Sequence, residues 1–540
     1  MTPAQPTPAS LPAIAALARG GAHERAWELF VAAGHDRRGD DPAALSLRGR
    51  LLKERARHGS GRARLQAMRE AAAAYDAANA IEPAAWLAIN VATLRLLAGE
   101  TDALPAAAMA VLTLLDDPCA SADTPYHRAA IRAEALLLLG DQAAARAAMR
   151  EAANADPDGW DDRAVTVRQL TAICTATGLP LTWLDEFRPP ASLHYAGHMA
   201  LVPGGPGEVS LAARIDEIVA VDRIGFGFGT AAAGSDIVIA ERILGAGGEL
   251  VLVLPCEPGL FERQSVAPAG QGWSARYQAL LKLAQGVIVA RPGGSVGGRD
   301  DLHDPLATQL AGRMAIGEAL LHADHFATTA CQAIAFDPAG GGAHSRDLAE
   351  QWPIRSTQRS LRIARETEVR SIFAGAIDDP ARRLASVVSI AIDLSGLDSG
   401  GTRIACQPVW KALSRIDPAR IVADHRGWDV LCEEPAEAAD LALGVLAAAR
   451  SADVPPPSVG LASGIVAAQR DDISGHWIAR GPVTPAARRM ARQAVAGTTC
   501  ATTAFALLLA AQGRPGPRCE LLHTGEGGAD DAVYRVLAAD

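Results

Sequence analysis

Lysine is nearly absent from this 540-residue sequence, which contains only Lys53, Lys282 and Lys411 among its 51 basic residues. Acidic residues number 61, so the formal charge at pH 7 is −10. Proteins that bind nucleic acid gain much of their affinity by neutralising phosphates, and they carry a basic stripe for that purpose. The shortage of positive charge therefore excludes nucleic acid as the expected partner.

Aromatic residues make up only 4% of the chain, and its eight cysteines include no Cys-x-x-Cys pair. The scattered cysteines and the absence of such a pair disfavour both a disulfide scaffold and a structural zinc site. No stretch keeps about 18 apolar residues uninterrupted, and the first residues lack the basic and apolar regions of a secretory signal. We therefore expect a cytoplasmic protein with no membrane-spanning helix and no membrane partner.

The length predicts several domains, since most domains contain about 100–200 residues. Helical periodicity dominates the first third, short apolar runs then alternate with helical stretches, and a last region interleaves strands with helices. This order predicts a multidomain fold with an all-α helical repeat region, an α/β Rossmann-like parallel sheet and an α+β domain. The expected boundaries are 1–188 for the helical region, 189–355 for the Rossmann-like domain, 356–383 for a linker and 384–540 for the third domain.

Two segments of the helical region look like copies of one unit. In each, a helix ends at a Gly-acidic break, at Gly99-Glu100 or Gly140-Asp141, and an Ala-rich helix follows. Helix pairs of this kind bury their apolar faces by stacking into a solenoid, although an irregular Ala-rich bundle would give a similar pattern.

The runs WLAINVATLRLLAG (86–99), AEALLLLGD (133–141) and VRQL (167–170) resemble the regulatory helical domain found beside tetratricopeptide repeats in apoptosis-signal-regulating kinases and in bacterial multidomain proteins. The resemblance implies that this region binds a protein partner. Within the runs, Asn90, Thr93 and Arg168 are candidates for buried hydrogen bonds that tie neighbouring helices.

The segment from Gly225 to Pro255 contains the turn with the clearest chemical character. A predicted strand runs into a glycine-rich turn and then a helix, so backbone N–H groups and the helix N-terminus are available to a phosphate. The same turn would also suit tight packing of the strand against the helix, since it matches neither the dinucleotide-binding nor the Walker A pattern. The candidate ligand-binding residues of this domain are Gly227, Gly229, Thr230, Gly234, Asp236, Glu241, Asp337 and Gly341.

This turn and the following GGELVLVLP (247–255) resemble the nucleotide-sensing Rossmannoid fold shared by the lysine-decarboxylase-like and DNA-processing proteins. The late strand AIAFDPAGGGAHS (333–345) supplies a second loop. The resemblance implies a phosphate-bearing nucleotide or nucleotide-derived ligand between the two loops, at one edge of the sheet. RPGGSVGGRDD (291–301) lacks the Thr and Glu of the motif found in nucleotide-cleaving members, so cleavage is not expected.

Three ordered segments of the last domain, SIAIDLSGLD (389–398), GWDVLCEEPAEAADLALGVL (427–446) and GPVTPAARRM (481–490), resemble class III nucleotidyl cyclases. The resemblance implies that Asp393 would hold a catalytic metal and that Arg488 would act on the transition state. It also implies a homodimer, because cyclase domains of this family pair head to tail and place their sites at the shared interface.

The same resemblance argues against catalysis. Two-metal phosphoryl transfer needs a pair of carboxylates, and the second metal ligand of the family falls on Arg426. Asp424, two residues away on the same face of a strand, is a candidate for a shifted ligand. Val422 lies near the position at which the family has its purine-reading lysine. Thr484 occupies the position at which the family has an asparagine that acts on the transition state.

Together these patterns predict a non-catalytic signalling protein that senses a nucleotide and engages a protein partner through helical repeats. An active class III nucleotidyl cyclase and a nucleotide-cleaving Rossmannoid enzyme are the alternatives. No cofactor other than a nucleotide is expected, and Mg²⁺ is expected only if the cyclase-like domain is active.

Overall fold

A computed structural model shows that the chain divides into two units. A helical unit is formed mainly by residues up to Pro189, and a second unit from Pro190 onwards contains two β-sheets. All-α, parallel α/β and α+β structure follow one another in the predicted order, so the predicted fold class is confirmed. The structure describes residues 9–117, 124–290, 304–340, 342–367, 379–424, 427–525 and 528–538.

Two helices of the first unit, Ala85–Leu97 and Pro125–Leu138, end at the Gly-acidic pairs identified in the sequence. The helices are α1 (Leu11–Arg19), α2 (His23–Ala32), α3 (Pro42–His58), α4 (Gly61–Ile81), α5 (Ala85–Leu97), α6 (Leu104–Asp116), α7 (Pro125–Leu138), α8 (Gln142–Ala155) and α9 (Trp160–Thr177). Gly99 and Gly140 have φ values of 84° and 83°, a left-handed conformation that glycine adopts without steric cost. Asp141 then caps α8 by accepting the Ala144 N–H at 2.9 Å. Both predicted helix pairs, α5 with α6 and α7 with α8, are present.

Four helices of this unit share a polar network. Lys53 Nζ on α3 donates to Asn90 Oδ1 on α5 at 2.8 Å and to Gln169 Oε1 on α9 at 2.5 Å. Glu134 on α7 accepts from Gln169 Nε2 at 2.7 Å and from Thr93 Oγ1 at 3.3 Å. Burial raises the pKa of Glu134 to about 7 and lowers the pKa of Lys53. The predicted role of Asn90 and Thr93 in tying helices is confirmed, whereas their charged partners were not predicted.

A six-stranded sheet forms the first part of the second unit. Its elements are β1 (Ala191–Gly197), α10 (Pro206–Val221), β2 (Ile224–Gly229), α11 (Ser235–Gly245), β3 (Glu249–Leu254), α12 (Pro258–Ser265), α13 (Gln271–Leu283), β4 (Gly286–Val289), α14 (Pro305–His325), β5 (Ala330–Phe336), α15 (Ala343–Gln351) and β6 (Gln358–Arg362). The strand order is β4-β3-β2-β1-β5-β6, and every neighbouring pair is parallel. β1 and β5 are buried along most of their length, as expected for parallel strands covered by helices on both faces.

The predicted linker at 356–383 is wrong in its first part, because β6 lies within it. β6 pairs with β5 over the register from Gln332↔Gln358 to Phe336↔Arg362. Leu361 is the buried residue of this strand. A strand at the sheet edge needs few apolar residues, so its sequence looks like a polar connection. Residues 368–378 of the predicted linker lie outside the described residues.

The second sheet is mixed. Its elements are β7 (Arg382–Ala391), α16 (Ser399–Leu413), β8 (Ile421–Asp424), β9 (Gly427–Cys432), α17 (Pro435–Ser451), β10 (Ser458–Arg470), β11 (Trp477–Arg480), α18 (Val483–Gln493), β12 (Thr499–Thr502), α19 (Thr503–Ala511), β13 (Arg518–Gly525) and β14 (Gly528–Leu537). The strand order is β13-β14-β12-β10-β7-β9-β8, and β11 pairs with the end of β10. β10 and β12 are parallel, and the other pairs are antiparallel.

Helix α14 joins the two sheets of this unit. Its apolar residues share one buried cluster with Val253 of the first sheet, with Ile465 of the second sheet and with Leu507 on α19. Gly317 lies where α14 meets α19, and a Cβ at this position would overlap the Leu507 carbonyl. A helix that is apolar on several faces in this way is one that is surrounded by protein.

Replacing Gly317 by alanine should destabilise the second unit, because the added methyl group forces two packed helices apart. Overpacking of this kind costs about 1–3 kcal/mol, so we expect a lower thermal midpoint for the full chain in calorimetry. The matched control is Gly444→Ala on α17, where a Cβ meets nothing within 4 Å and alanine favours the helix. Equal midpoints for the two variants would contradict the shared core.

Candidate functional site

Three loops that follow neighbouring strands converge at one edge of the parallel sheet. β1 pairs in parallel with β2 on one side and with β5 on the other, so the carboxyl ends of all three strands face the same way. The chain order reverses between β1 and β5, and open α/β sheets bind ligands at such a switch point. The turn at 227–236 and the described part of the second loop, 337–340, therefore lie at the same edge, as the sequence predicts.

The glycines at the end of β2 and in the turn after it pack against the protein itself. A Cβ on Gly229 would lie 2.6 Å from the carbonyl oxygen of Tyr195, and one on Gly227 would lie 2.7 Å from a side chain of α11. Gly234 has a φ of 89°, and its Cβ would lie 2.9 Å from the His198 carbonyl oxygen. These glycines serve the tight packing that was the alternative interpretation of this turn.

Thr230 and Asp236 close the same turn around a buried carboxylate. Asp236, only 4% exposed, accepts the N–H of Gly197 at 2.9 Å, the N–H of Ala232 at 3.4 Å and the Thr230 hydroxyl. Burial raises the pKa of Asp236 to about 6. Because this carboxylate already lies in the first turn of α11, it competes with any external anion for the positive end of that helix.

Glu241 belongs to an ion-pair cluster. Arg276 Nε and Nη2 lie 2.8 and 2.5 Å from the two oxygens of Glu241, and Nη2 also lies 2.8 Å from Glu208 Oε1. The guanidinium stacks over the Trp273 ring, 4.4 Å from its centroid. The bidentate pair and the stacked ring tie α10, α11 and α13 together, so the contacts of Glu241 are structural.

The loop after β5 is also held by an ion pair. Asp337 accepts the Ala339 N–H at 3.1 Å, and Arg365 Nε lies 3.0 Å from its other oxygen. Gly341, which was predicted to bind the ligand, lies outside the described residues. Asp337 therefore faces the segment that follows β6.

A glycine-rich turn after β1 was not predicted from the sequence. Gly204-Gly205-Pro206-Gly207 leads into α10, and the Glu366 carboxylate lies at the N-terminus of this helix. Its oxygens accept the Gly207 N–H at 2.6 Å and the Val202 N–H at 2.8 Å. The signal that would have found this turn is the one applied to the turn after β2, namely several glycines between an apolar run and a helix.

Residues 363–367, here called the strap, cross this edge of the sheet. His198 Nε2 donates to the Ile363 carbonyl at 2.8 Å, and the Glu366 N–H donates to the Ala200 carbonyl at 2.8 Å. Burial lowers the pKa of His198, which favours the neutral ring. Together with the Arg365–Asp337 pair, these bonds connect the loop after β1 to the loop after β5.

Asp393 follows β7 at the end where this strand meets the β8–β9 hairpin. The register pairs Ala391 with Gly427, and Gly427 with Asp424, so Asp393 and Asp424 lie at the same end of the mixed sheet. Asp393 is exposed and accepts the Ser395 N–H at 2.9 Å, and hydrogen bonds from Ser395 hold its pKa below the usual range. An aspartate that bonds to the backbone two residues on is the usual turn-former.

Arg488 is held by two carboxylates of its own domain. Its Nε lies 2.7 Å from Asp429 Oδ2, and its Nη2 lies 3.1 Å from Asp424 Oδ2. Asp429, on β9, was not among the predicted site residues. Arg426 lies outside the described residues, and the Thr484 hydroxyl donates to a backbone carbonyl at 3.4 Å.

The candidate metal ligands Asp393 and Asp424 each have a partner within their own domain. Asp424, the candidate for a shifted ligand, is engaged by Arg488. Among the residues that the structure describes, no group of three or more His, Cys, Asp or Glu side chains is arranged to hold a metal ion. Two-metal phosphoryl transfer needs carboxylates that are available to both ions.

Comparisons with known proteins match different parts of this architecture. A family model described as Tetratricopeptide Repeats-Sensor matches residues 9–95, within the helical unit. No curated protein matches the sequence significantly. Within the described residues, no helix combines the length and the apolar character needed to cross a membrane.

Solved structures with similar folds include several nucleotidyl cyclase domains. An adenylate cyclase of Trypanosoma brucei, in its monomeric state, is 12% identical over 30% of this chain and 96% of its own, with a TM-score of 0.25. A dimeric guanylyl cyclase domain of the RhoGC fusion protein from the aquatic fungus Blastocladiella emersonii is 15% identical over 29% and 99%, with a TM-score of 0.24. The adenylyl cyclase CyaB from P. aeruginosa is 12% identical over 29% and 94%, with a TM-score of 0.24.

Replacing Asp236 by asparagine should stabilise the second unit more at high pH than at low pH. The folded-state pKa of about 6 exceeds the ordinary value of 3.8, so ionisation of the buried carboxyl lowers the free energy of unfolding as pH rises through this window. The cost approaches about 3 kcal/mol above pH 6, and the neutral amide does not carry it. Denaturation of both proteins at pH 4.5 and 7.5 measures the difference. A difference in stability that does not change with pH would contradict the assignment.

Proposed function

We propose that this chain is a non-catalytic regulatory protein. In this proposal, the switch point of the parallel sheet binds a phosphate-bearing nucleotide or nucleotide-derived ligand, and the helical unit binds a protein partner. The tetratricopeptide-type match at 9–95 supports partner binding, since stacked helix pairs present extended binding surfaces.

The ion pairs of Arg488 are the observation that carries the non-catalytic part of the proposal. An arginine that stabilises a phosphoryl-transfer transition state must present its guanidinium to the developing charge. Here two carboxylates neutralise it, and withdrawing it would leave Asp429, which is 9% exposed, without that partner. Arg426, where the cyclase pattern has a metal-binding aspartate, supports the same conclusion from the sequence.

The ligand class follows from the donors at the edge of the parallel sheet. The N–H groups of Val202 and Gly207 converge on one carboxylate at the start of α10. Backbone donors at the positive end of a helix suit a phosphate for the same reason. A protein carboxylate takes the donors at both turns, but Glu366 at the turn after β1 is partly exposed whereas Asp236 at the turn after β2 is buried, so an anionic ligand is favoured at the turn after β1.

Cyclase-like pairing is part of the proposal and makes the non-catalytic part testable. Helix α16 exposes Ile404 (61%) and Trp410 (47%), apolar surface that a second copy would cover. We expect the full chain to sediment as a dimer at micromolar concentration and still to form no cyclic nucleotide from ATP or GTP with Mg²⁺ or Mn²⁺. Turnover that Asp393→Ala abolishes would favour an active cyclase instead, and a monomer would refute the pairing.

Nucleotide binding is tested by titration calorimetry of the full chain with ATP, GTP, ADP and AMP. We expect at least one of these ligands to bind more tightly than millimolar. Gly205→Ala should weaken that binding about tenfold, because a Cβ at Gly205 would lie 2.7 Å from the present Glu366 carboxylate and so in the space for an anion.

The matched control is Gly245→Ala at the end of α11, where a Cβ meets nothing within 4 Å. Equal weakening by both variants would show that the effect is not local to the turn after β1. Binding of none of the four ligands more tightly than millimolar would refute the proposed ligand class. Release of free base or phosphate during the titration would favour the nucleotide-cleaving alternative.

A further inference from the structure

We propose that a second copy of this chain binds in the groove between α16 and α17, with the basic side of each copy's groove against the acidic side of the other's. This inference rests on the dimer of the proposed function and names the surface through which the two copies meet. The groove lies entirely within the mixed-sheet part of the second unit.

The shape of the groove suits a helix of another molecule. It has a volume of about 1220 Å³, and its lining residues run from Ile404 to Ile416 along α16 and from Ala436 to Ser451 along α17. Ile404 is 61% exposed, so one end of the groove offers apolar surface to a partner. Gly444 in the lining is exposed, and a Cβ there would meet nothing within 4 Å. A neighbouring helix can therefore approach α17 closely at this point.

The charged side chains on the two helical sides of the groove have opposite sign. Lys411 on α16 and Arg415 just after it are basic, whereas Glu437 and Asp440 on α17 are acidic. Glu437 pairs with Arg420 at 2.8 Å. Among the residues that the structure describes, the charged groups of Lys411, Arg415 and Asp440 have no ion-pair or hydrogen-bond partner, and all three side chains are exposed. The basic side and the acidic side therefore do not neutralise each other within one copy.

This separation of charge favours a second copy over a different protein of strong charge. The lining as a whole is balanced, with four basic and four acidic side chains, so a strongly acidic or strongly basic partner would meet as much repulsion as attraction. A two-fold axis brings the same patch of both copies together. The basic side of each copy can then face the acidic side of the other, and the favourable contact occurs twice in one interface.

The groove and α18 lie on opposite faces of the mixed sheet. Successive residues of a strand point to opposite faces. On β7, Val388 packs in the cluster that includes Val409 of α16 and Val445 of α17, whereas Val387 packs with Ala487 of α18. Copies joined through the groove therefore meet away from α18, which carries Arg488. This placement agrees with a dimer that forms no shared catalytic site.

The experiment is sedimentation velocity of the full chain at micromolar concentration with two complementary variants. Lys411→Glu combined with Arg415→Glu makes the basic side acidic, and Asp440→Lys places a cation on the acidic side. Each variant alone should weaken the dimer about a hundredfold, because like charges then face each other in both halves of the interface. An equimolar mixture of the two variants should regain the dimer, since opposite charges face each other again in both halves.

Arg489→Glu is the matched control. Arg489 is an exposed arginine on α18, so the change reverses a charge on the opposite face of the sheet. We expect this variant to sediment as the wild type does. All variants should keep the thermal midpoint of the monomeric fold, because the altered side chains are exposed.

The outcomes separate this inference from the proposed dimer. If both groove variants dimerise as the wild type does, or if Arg489→Glu separates the copies instead, the interface lies elsewhere and the inference is refuted while the dimer stands. If the groove variants are monomers and their mixture stays monomeric, the charges do not face each other across two copies, which also refutes the inference. If the wild type itself is a monomer, the proposed dimer fails and the groove is open to a different protein.

Discussion

Close packing of α14 between the two sheets is the constraint on which the second unit depends. The helix has no free face for most of its length, so the parallel sheet and the mixed sheet share one apolar cluster around it, in addition to the core that each sheet has of its own. Arg382 reinforces the junction, since its guanidinium forms a two-pronged ion pair with the Asp304 carboxylate, with Nη1 and Nη2 at 3.2 and 2.5 Å, and both side chains are largely buried. Glycine at position 317 is what allows the helices to approach so closely. A change at the edge of one sheet therefore acts on a unit that includes the other.

Carboxylates of the protein already occupy the N-termini of two helices at the edge of the parallel sheet. Asp236 lies in the first turn of α11, and Glu366 lies at that of α10. The two differ in burial: Asp236 is enclosed, whereas Glu366 sits on a partly exposed strap. A ligand at α11 would have to displace a buried carboxylate with three donors, which costs more than displacing the partly exposed carboxylate at α10.

The candidate site illustrates what local sequence can and cannot identify. The turn after β2 was recognised because its glycines follow an apolar run, and its place at the switch point was correct. Whether those glycines face a ligand or a neighbouring backbone depends on residues such as Tyr195 and His198, which are distant in sequence. The same limit hid Asp429 as the partner of Arg488, since the two lie 59 residues apart.

The sequence alone determined the order of structural classes, the helix breaks at Gly99 and Gly140, and the sheet edge at which two loops meet, because periodicity and turn chemistry are local properties. Only the tertiary structure decided that β6 extends the first sheet, that the two sheets share a core around α14, and that Glu366 reaches α10. Each of these depends on contacts between segments far apart in the chain. Such contacts form only where the folded backbone brings a donor, a charge or an apolar face to a matching partner, and neither segment carries that information by itself.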